Sequence, residues 1–181
     1  MGLSLGRDVL AGILFGVTVA TWLGLEFRQS LKRRAEARVS DRGSLLLTRV
    51  CVGAGLVVAA YAPSAVPGAA IGAPPLAFVV GLVLAWAGIA LRWWSFQTLG
   101  RYFTIRVETS ADQPVISTGP YSLLRHPSYT GVELVLLGVG FLYGNWVGVA
   151  ALAVLPMIGL VNRIRVEEQA LDEALDDAYR S

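Results

Sequence analysis

Apolar runs of about the length needed to cross a bilayer recur along this chain and leave room for little else. A spanning helix needs roughly 20 apolar residues, so the apolar material suffices for about five helices. Composition agrees: 55% of the 181 residues are hydrophobic and 15% are charged, against about 25% charged in a soluble domain. A water-soluble enzyme is excluded, and the expected fold is all-α and polytopic: about five transmembrane helices, the last two forming a short hairpin, followed by a cytosolic amphipathic helix.

Charge placement sets the expected topology. The first apolar run, Val9 to Phe27, lacks a small-residue cleavage site after it and is followed by further spans, so it reads as a transmembrane helix rather than a signal peptide. From Arg28 to Arg42 six basic residues stand against only Glu36 and Asp41, which puts this connector in the cytoplasm and the N-terminus outside. A second span runs from about Ser44 to Tyr61. The uncharged segment Ala62–Pro75, with Pro63, Pro67, Pro74 and Pro75, reads as an outside loop. The third span, Leu76 to about Phe96, ends in Arg92, Trp93 and Trp94, a grouping that suits the headgroup boundary.

Polar residues then dominate from Gln97 to Ser128, the longest polar connection in the chain. Gly144 and Asn145 divide the apolar stretch Tyr129–Val161 into two arms, each short for a full span. From Arg163 to Arg180, Leu171, Ala174, Leu175 and Ala178 recur at helical spacing among acidic residues, which predicts an amphipathic helix capping the protein's own cytosolic surface. The chain thus divides into residues 1–96, carrying three spans, and 97–181, carrying the polar segment, the hairpin and the terminal helix. The 14 arginines to one lysine point to a GC-rich prokaryotic source, and so to a multi-pass protein of a prokaryotic inner or plasma membrane.

Few residues are equipped for chemistry. One cysteine, Cys51, and one histidine, His126, preclude an internal disulfide and a His- or Cys-rich metal site. The net charge of +2 is too small to suggest nucleic acid as a partner. What remains concentrates in two places. In the run Gly119-Pro120-Tyr121-Ser122-Leu123-Leu124-Arg125-His126-Pro127-Ser128-Tyr129, glycine and two prolines stiffen a strap that carries two tyrosines, an arginine and the histidine. It suits a small polar molecule, or it is a set of interfacial anchors ending a helix. The second cluster is Arg163, Glu167 and Glu168, where Arg163 and Glu167 share one helix face; taken alone, it is a surface ion pair. Glu133, inside the first hairpin arm, is either functional or one turn from water. Gly12 and Gly16 form a small-xxx-small pair suited to helix association.

Together the two clusters resemble the isoprenylcysteine carboxyl methyltransferase family and its relatives among membrane phospholipid methyltransferases. Two motifs carry the resemblance: Gly119, Pro120 and Tyr121 followed by His126, Pro127, Ser128, Tyr129, Thr130 and Gly131, and then, beyond the hairpin, Arg163, Glu167, Glu168 and Leu171. The resemblance implies a cytosol-facing pocket for S-adenosylmethionine built from Gln113, Pro114, Val115, Ile116, Tyr121, His126, Pro127, Ser128, Tyr129 and Glu167. It also implies that Arg163 is directed at the substrate as the catalytic and substrate-binding residue; Arg106 aligns more loosely. The sequence departs from the family pattern at Gln113 and Pro114, where relatives often have histidine and a non-proline, and at Leu175 and Asp176 before Tyr179.

The chemistry fits independently. Methyl transfer from a sulfonium to an anion turns two charged reactants into neutral products, so a desolvated pocket favours the transition state. A carboxylate acceptor, which ordinarily loses its proton at about pH 4, is already ionised at neutral pH and needs orientation by a cation such as Arg163 rather than a base. The function the resemblance implies is S-adenosylmethionine-dependent methylation of a carboxylate, either of a protein C-terminal S-isoprenylcysteine or of a small lipophilic acid or thiol that enters from the bilayer, with no metal and no nucleic acid involved. The competing readings are an NADPH-dependent membrane reductase, because sterol reductases carry a similar Arg-His-Pro-x-Tyr run, and a catalytically silent scaffold.

Overall fold

The computed structural model describes residues 2–30, 38–39, 43–100, 108–109 and 116–175. Five helices hold nearly all of them: α1 (Gly2–Ser30), α2 (Ser44–Ala65), α3 (Pro74–Leu99), α4 (Pro127–Leu142) and α5 (Trp146–Leu175). The expected all-α, polytopic architecture is present. Stretches of α1, α2, α3 and α5 are long and apolar enough to cross a membrane, namely Val9–Ser30, Ser44–Ala65, Pro74–Leu99 and Trp146–Asp172. At 16 residues α4 is the short arm of the hairpin, about 24 Å long against roughly 30 Å of hydrocarbon. Two-residue strands β1 (Arg38–Val39) and β2 (Glu108–Thr109) pair antiparallel and tie the two polar connectors together.

The proline-rich segment is less of a loop than its composition suggests. Helix α2 continues through Pro63 to Ala65, because a proline this near a helix end removes a single N–H donor before the helix stops anyway. Pro67 opens a short 3-10 turn, and Pro74 and Pro75 occupy the first positions of α3, where the missing N–H has no intrahelical partner to lose. At the far end of the chain, the amphipathic segment expected from Arg163 onward is continuous with the second hairpin arm, since nothing between Val161 and Arg163 breaks a helix.

Two antiparallel pairs, α3 with α4 and α2 with α5, make the bundle, and the α4–α5 hairpin joins them. Glycine lets the first pair approach at backbone distance. A Cβ on Gly88 would stand 2.5 Å from the Gly131 carbonyl oxygen, and one on Gly138 would stand 2.5 Å from that of Gly81. In the second pair Gly159 packs on Thr48, whose hydroxyl donates to the Gly159 carbonyl at 3.1 Å, and Gly148 packs on Ala59. The core sits where the pairs meet: Ala59, Ile89, Val135, Leu136, Val139 and Leu152, with Trp22 and Leu25 of α1 against it. Helix α1 lies along α3, where the Trp86 indole N–H donates to the Thr18 hydroxyl at 3.1 Å. Gly12 and Gly16 face open space within the chain, so the close approaches fall on α3 and α4 instead.

At the end of the bundle remote from the strap, the α4–α5 turn is pinned by Asn145, which is fully buried. Its amide donates to the Val66 carbonyl at 2.9 Å, and its own oxygen accepts the Val147 N–H at 2.9 Å, capping α5. Gly144, at φ 69°, supplies the left-handed residue the turn needs.

Candidate functional site

The strap folds as its glycine and prolines dictate. Gly119, at φ 58°, starts a 3-10 turn over Gly119–Ser122 that lies against the end of α3; a Cβ here would stand 2.8 Å from the Thr98 hydroxyl. Pro127 takes the first position of α4 and leaves His126 just outside the helix, its carbonyl accepting the N–H groups of Tyr129 and Thr130 at 3.1 and 3.2 Å. His126 and Tyr129 therefore sit on one short turn with their rings stacked, centroids 5.8 Å apart.

Helix α5 brings the second motif to that turn. The Tyr129 hydroxyl donates to Glu167 Oε2 at 2.6 Å, a short charge-assisted bond between motifs 38 residues apart. The His126 ring lies between two carboxylates, with Nδ1 4.0 Å from Glu167 Oε2 and Nε2 3.2 Å from Glu168 Oε1. A carboxylate can only accept, so the shorter contact places a proton on Nε2. Arg125, largely exposed, approaches Glu168 at 3.6 Å. Arg163 is buried, one turn before Glu167; its Nη1 donates to the Ser44 hydroxyl on α2 at 3.1 Å, and its guanidinium also hydrogen-bonds the Tyr129 hydroxyl.

Tyr121 completes the constellation. Burial, and secondarily the Glu167 carboxylate nearby, push its phenol well above the ordinary value, against the opposing pull of its hydrogen bond with Ser95 and of the Arg92 charge. It remains a neutral hydroxyl over the working pH range and serves as a hydrogen-bonding group, not a base.

Of the residues singled out in the sequence, Tyr121, His126, Tyr129, Arg163 and Glu167 converge. Pro127 and Ser128 are buried, Ser128 turning toward α3, and Ile116 is half-buried at the entry to the strap. Gln113, Pro114 and Val115 lie outside the described residues, as do Arg106 and Tyr179. Sequence reasoning gave Glu168 no role, although it holds the histidine. It also missed Arg92, read as a headgroup anchor. That residue is 6% exposed and makes a forked ion pair with Glu26 of α1, its Nη2 reaching Glu26 Oε2 at 2.8 Å. A signal for the pair was available: Glu26 and Arg92 are opposite charges inside apolar runs, and charges at membrane depth pair.

Glu133 shares a face of α4 with Tyr129, and its Oε2 is buried with no hydrogen-bond partner among the described residues. Replacing it with leucine is expected to stabilise the detergent-solubilised protein by about 1–3 kcal/mol, the cost of an unmet buried polar group. A thermal midpoint lower in Glu133→Leu than in the parent would show that the carboxylate is satisfied.

The fold and site define a class: a polytopic helical membrane protein with a polar cluster of carboxylates, tyrosine and histidine where a short helical hairpin meets the connector before it. Residues 79–173 match the isoprenylcysteine carboxyl methyltransferase (ICMT) family, and the chain belongs to that family. It is 32% identical over 101 residues to protein-S-isoprenylcysteine O-methyltransferase A of Arabidopsis thaliana, covering 55% of this chain and 51% of that one. It is 30% identical over 109 residues to the protein-S-isoprenylcysteine O-methyltransferase of Saccharomyces cerevisiae, covering 59% and 46%. A third relative, the uncharacterized protein YpbQ of Bacillus subtilis, is 30% identical over 96 residues, covering 49% and 57%. The chain thus spans about half the length of the curated relatives it matches.

Proposed function

We propose that this protein is an integral membrane methyltransferase that takes its methyl group from S-adenosylmethionine and passes it to a lipophilic acceptor arriving from the bilayer. The observation that carries the reading is the bond between Tyr129 and Glu167, which brings the two motifs into contact. The donor set suits the cofactor. Stacked and neighbouring rings at His126, Tyr129 and Tyr121 favour a cation such as a sulfonium, and Glu167 and Glu168 accept from ammonium or ribose hydroxyl donors. Gln113, Pro114, Val115 and Ile116 would complete the pocket by the family pattern.

S-adenosylmethionine, when bound, supplies an electrophilic methyl on a cationic sulfur, which leaves as the neutral thioether when the acceptor attacks. The chain's part is to position and to exclude water. Tyr129 and Glu167 hold one wall, His126 is oriented by Glu168, and Tyr121 donates as a neutral phenol. Arg163, buried beside Tyr129, is the cation that orients an anionic acceptor, and charge annihilation there would be favoured once bound cofactor and acceptor displace water. The positive connector Arg28–Arg42 supports an orientation with the pocket facing the cytoplasm. The methyltransferase names of the relatives favour methyl transfer over hydride transfer.

The test is calorimetric titration of the detergent-purified protein with S-adenosylhomocysteine, with NADPH as comparator. Binding of the first and not the second, lost in His126→Ala, is the expected result; binding of NADPH alone would make the protein a reductase. Roles within the site separate by a second experiment. Arg163→Lys is expected to bind S-adenosylhomocysteine as the parent does, yet to transfer labelled methyl groups into a lipid extract roughly 10- to 100-fold more slowly, the weight of a charged hydrogen bond. Equal loss of cofactor affinity would assign Arg163 to the cofactor instead.

A further inference from the structure

We propose that Arg92 is the positioning residue of the strap and that Glu26, on a helix outside the family-matched segment, holds it in register. The inference rests on the reading above that the strap contacts the cofactor.

Every side of the Arg92 fork is engaged. Nε and Nη2 take the two carboxylate oxygens of Glu26, while Nη1 donates to both the carbonyl and the hydroxyl of Ser128, at 3.1 and 2.5 Å. The guanidinium also lies over the Phe96 ring, 4.9 Å from its centroid. Ser128 stands between His126 and Tyr129 in the first turn of α4. Gripping two of its atoms from one side fixes the rotation of that turn about the helix axis, and this rotation decides whether the His126 and Tyr129 side chains point at Glu168 and Glu167. The other end of the strap lies against the same stripe of α3: Ser95, three residues on from Arg92, and the Arg92 charge both act on the Tyr121 phenol. One face of α3 thus grips the Ser128 turn and neighbours Tyr121. Lysine cannot replace the residue, because a point charge cannot satisfy a carboxylate fork and two serine acceptors together.

Glu26 sets the direction of the fork, and it lies on α1, whereas the family match begins at residue 79. About two turns earlier on α1, Thr18 accepts the Trp86 indole N–H of α3, so the two helices are also tied away from the strap. The first helix thus reaches the site through the Glu26–Arg92 ion pair.

Three variants test this in the full-length, detergent-purified protein: Arg92→Lys, Glu26→Gln, and the charge swap Glu26→Arg with Arg92→Glu. Each is read by S-adenosylhomocysteine affinity, by hydrogen–deuterium exchange along the chain and by thermal midpoint. Arg92→Lys and Glu26→Gln are expected to weaken binding about tenfold or more, the weight of a lost charge-assisted bond, and to speed exchange at the Tyr129 and Thr130 amides while α2 keeps its protection. The swap restores an ion pair but not the grip on Ser128, so it should recover the thermal midpoint without recovering affinity. A purely structural ion pair predicts the reverse: affinity returns with stability in the swap, and exchange rises throughout the bundle. That result, or unchanged strap exchange in Arg92→Lys, overturns the proposal. Should the parent fail to bind S-adenosylhomocysteine while strap exchange still responds, the cofactor reading fails and the positioning role stands.

Discussion

A Gly88→Val chain is expected to unfold about 10 °C below the parent, a loss of more than about 3 kcal/mol for a protein of this size. Any Cβ at residue 88 meets the Gly131 carbonyl oxygen at 2.5 Å and the Val135 nitrogen at 2.7 Å. Both are backbone atoms of a packed helix and cannot swing aside as the tip of a side chain would. Relief requires α3 and α4 to separate, and separation also opens the Gly81–Gly138 contact seven residues away on each helix. Because α3 carries Arg92 and α4 carries the strap, affinity for S-adenosylhomocysteine should fall along with stability. Gly16→Ala is the control: with nothing within 4 Å of the added methyl, it should be neutral or stabilising by up to about 1 kcal/mol through helix propensity. Intrinsic tryptophan fluorescence during heating in detergent reads both, and the same midpoint in the two variants would dispose of the close-packed α3–α4 interface.

The second large effect is at the bond between the motifs. Glu167→Ala is expected to weaken S-adenosylhomocysteine binding by about 1–3 kcal/mol, because the Tyr129 hydroxyl loses a charged acceptor and the His126 ring loses one of its two carboxylates. Tyr129→Phe removes the donor of the same bond. If the two act through one contact, the double variant costs less than the sum of the singles, with a coupling of about 0.5–3 kcal/mol. Strict additivity in calorimetry would mean that each residue reaches the ligand separately and that the 2.6 Å bond is incidental.

The helices were legible because their signals are local. Ser44 opens α2 where the sequence places it, Pro74 opens α3 two residues ahead of the expected Leu76, and Gly144 and Asn145 mark the hairpin turn. The strap was legible for the same reason, since glycine and proline act on their own backbone angles. Contacts between helices were not. Arg92 and Glu26 are 66 residues apart, and no periodicity within either helix says which faces the other. The pairing of Gly88 with Gly131 depends on the register of two antiparallel helices, which the hydrophobic pattern leaves open because both carry apolar residues on most of their faces. Arg163 and Glu167 share a face of α5 as their spacing requires, but local spacing could not tell that Arg163 is held by Ser44 on α2 while Glu167 is taken by Tyr129 on α4.

The length of α5, continuous from Trp146 to Leu175 although Pro156 interrupts its hydrogen-bond ladder, couples the two ends of the bundle. Asn145 pins the start of the helix at one end of the bundle, and Glu167 lies 22 residues on at the other, about 33 Å away at 1.5 Å per residue. A tilt of about 5° around the pinned end would carry Glu167 sideways by about 3 Å over that lever, as much as the whole bond to Tyr129. Helices in thicker or thinner membranes adjust by tilting. A lipid surround that changed the tilt of α5 would thus be felt first at the contact between Tyr129 and Glu167.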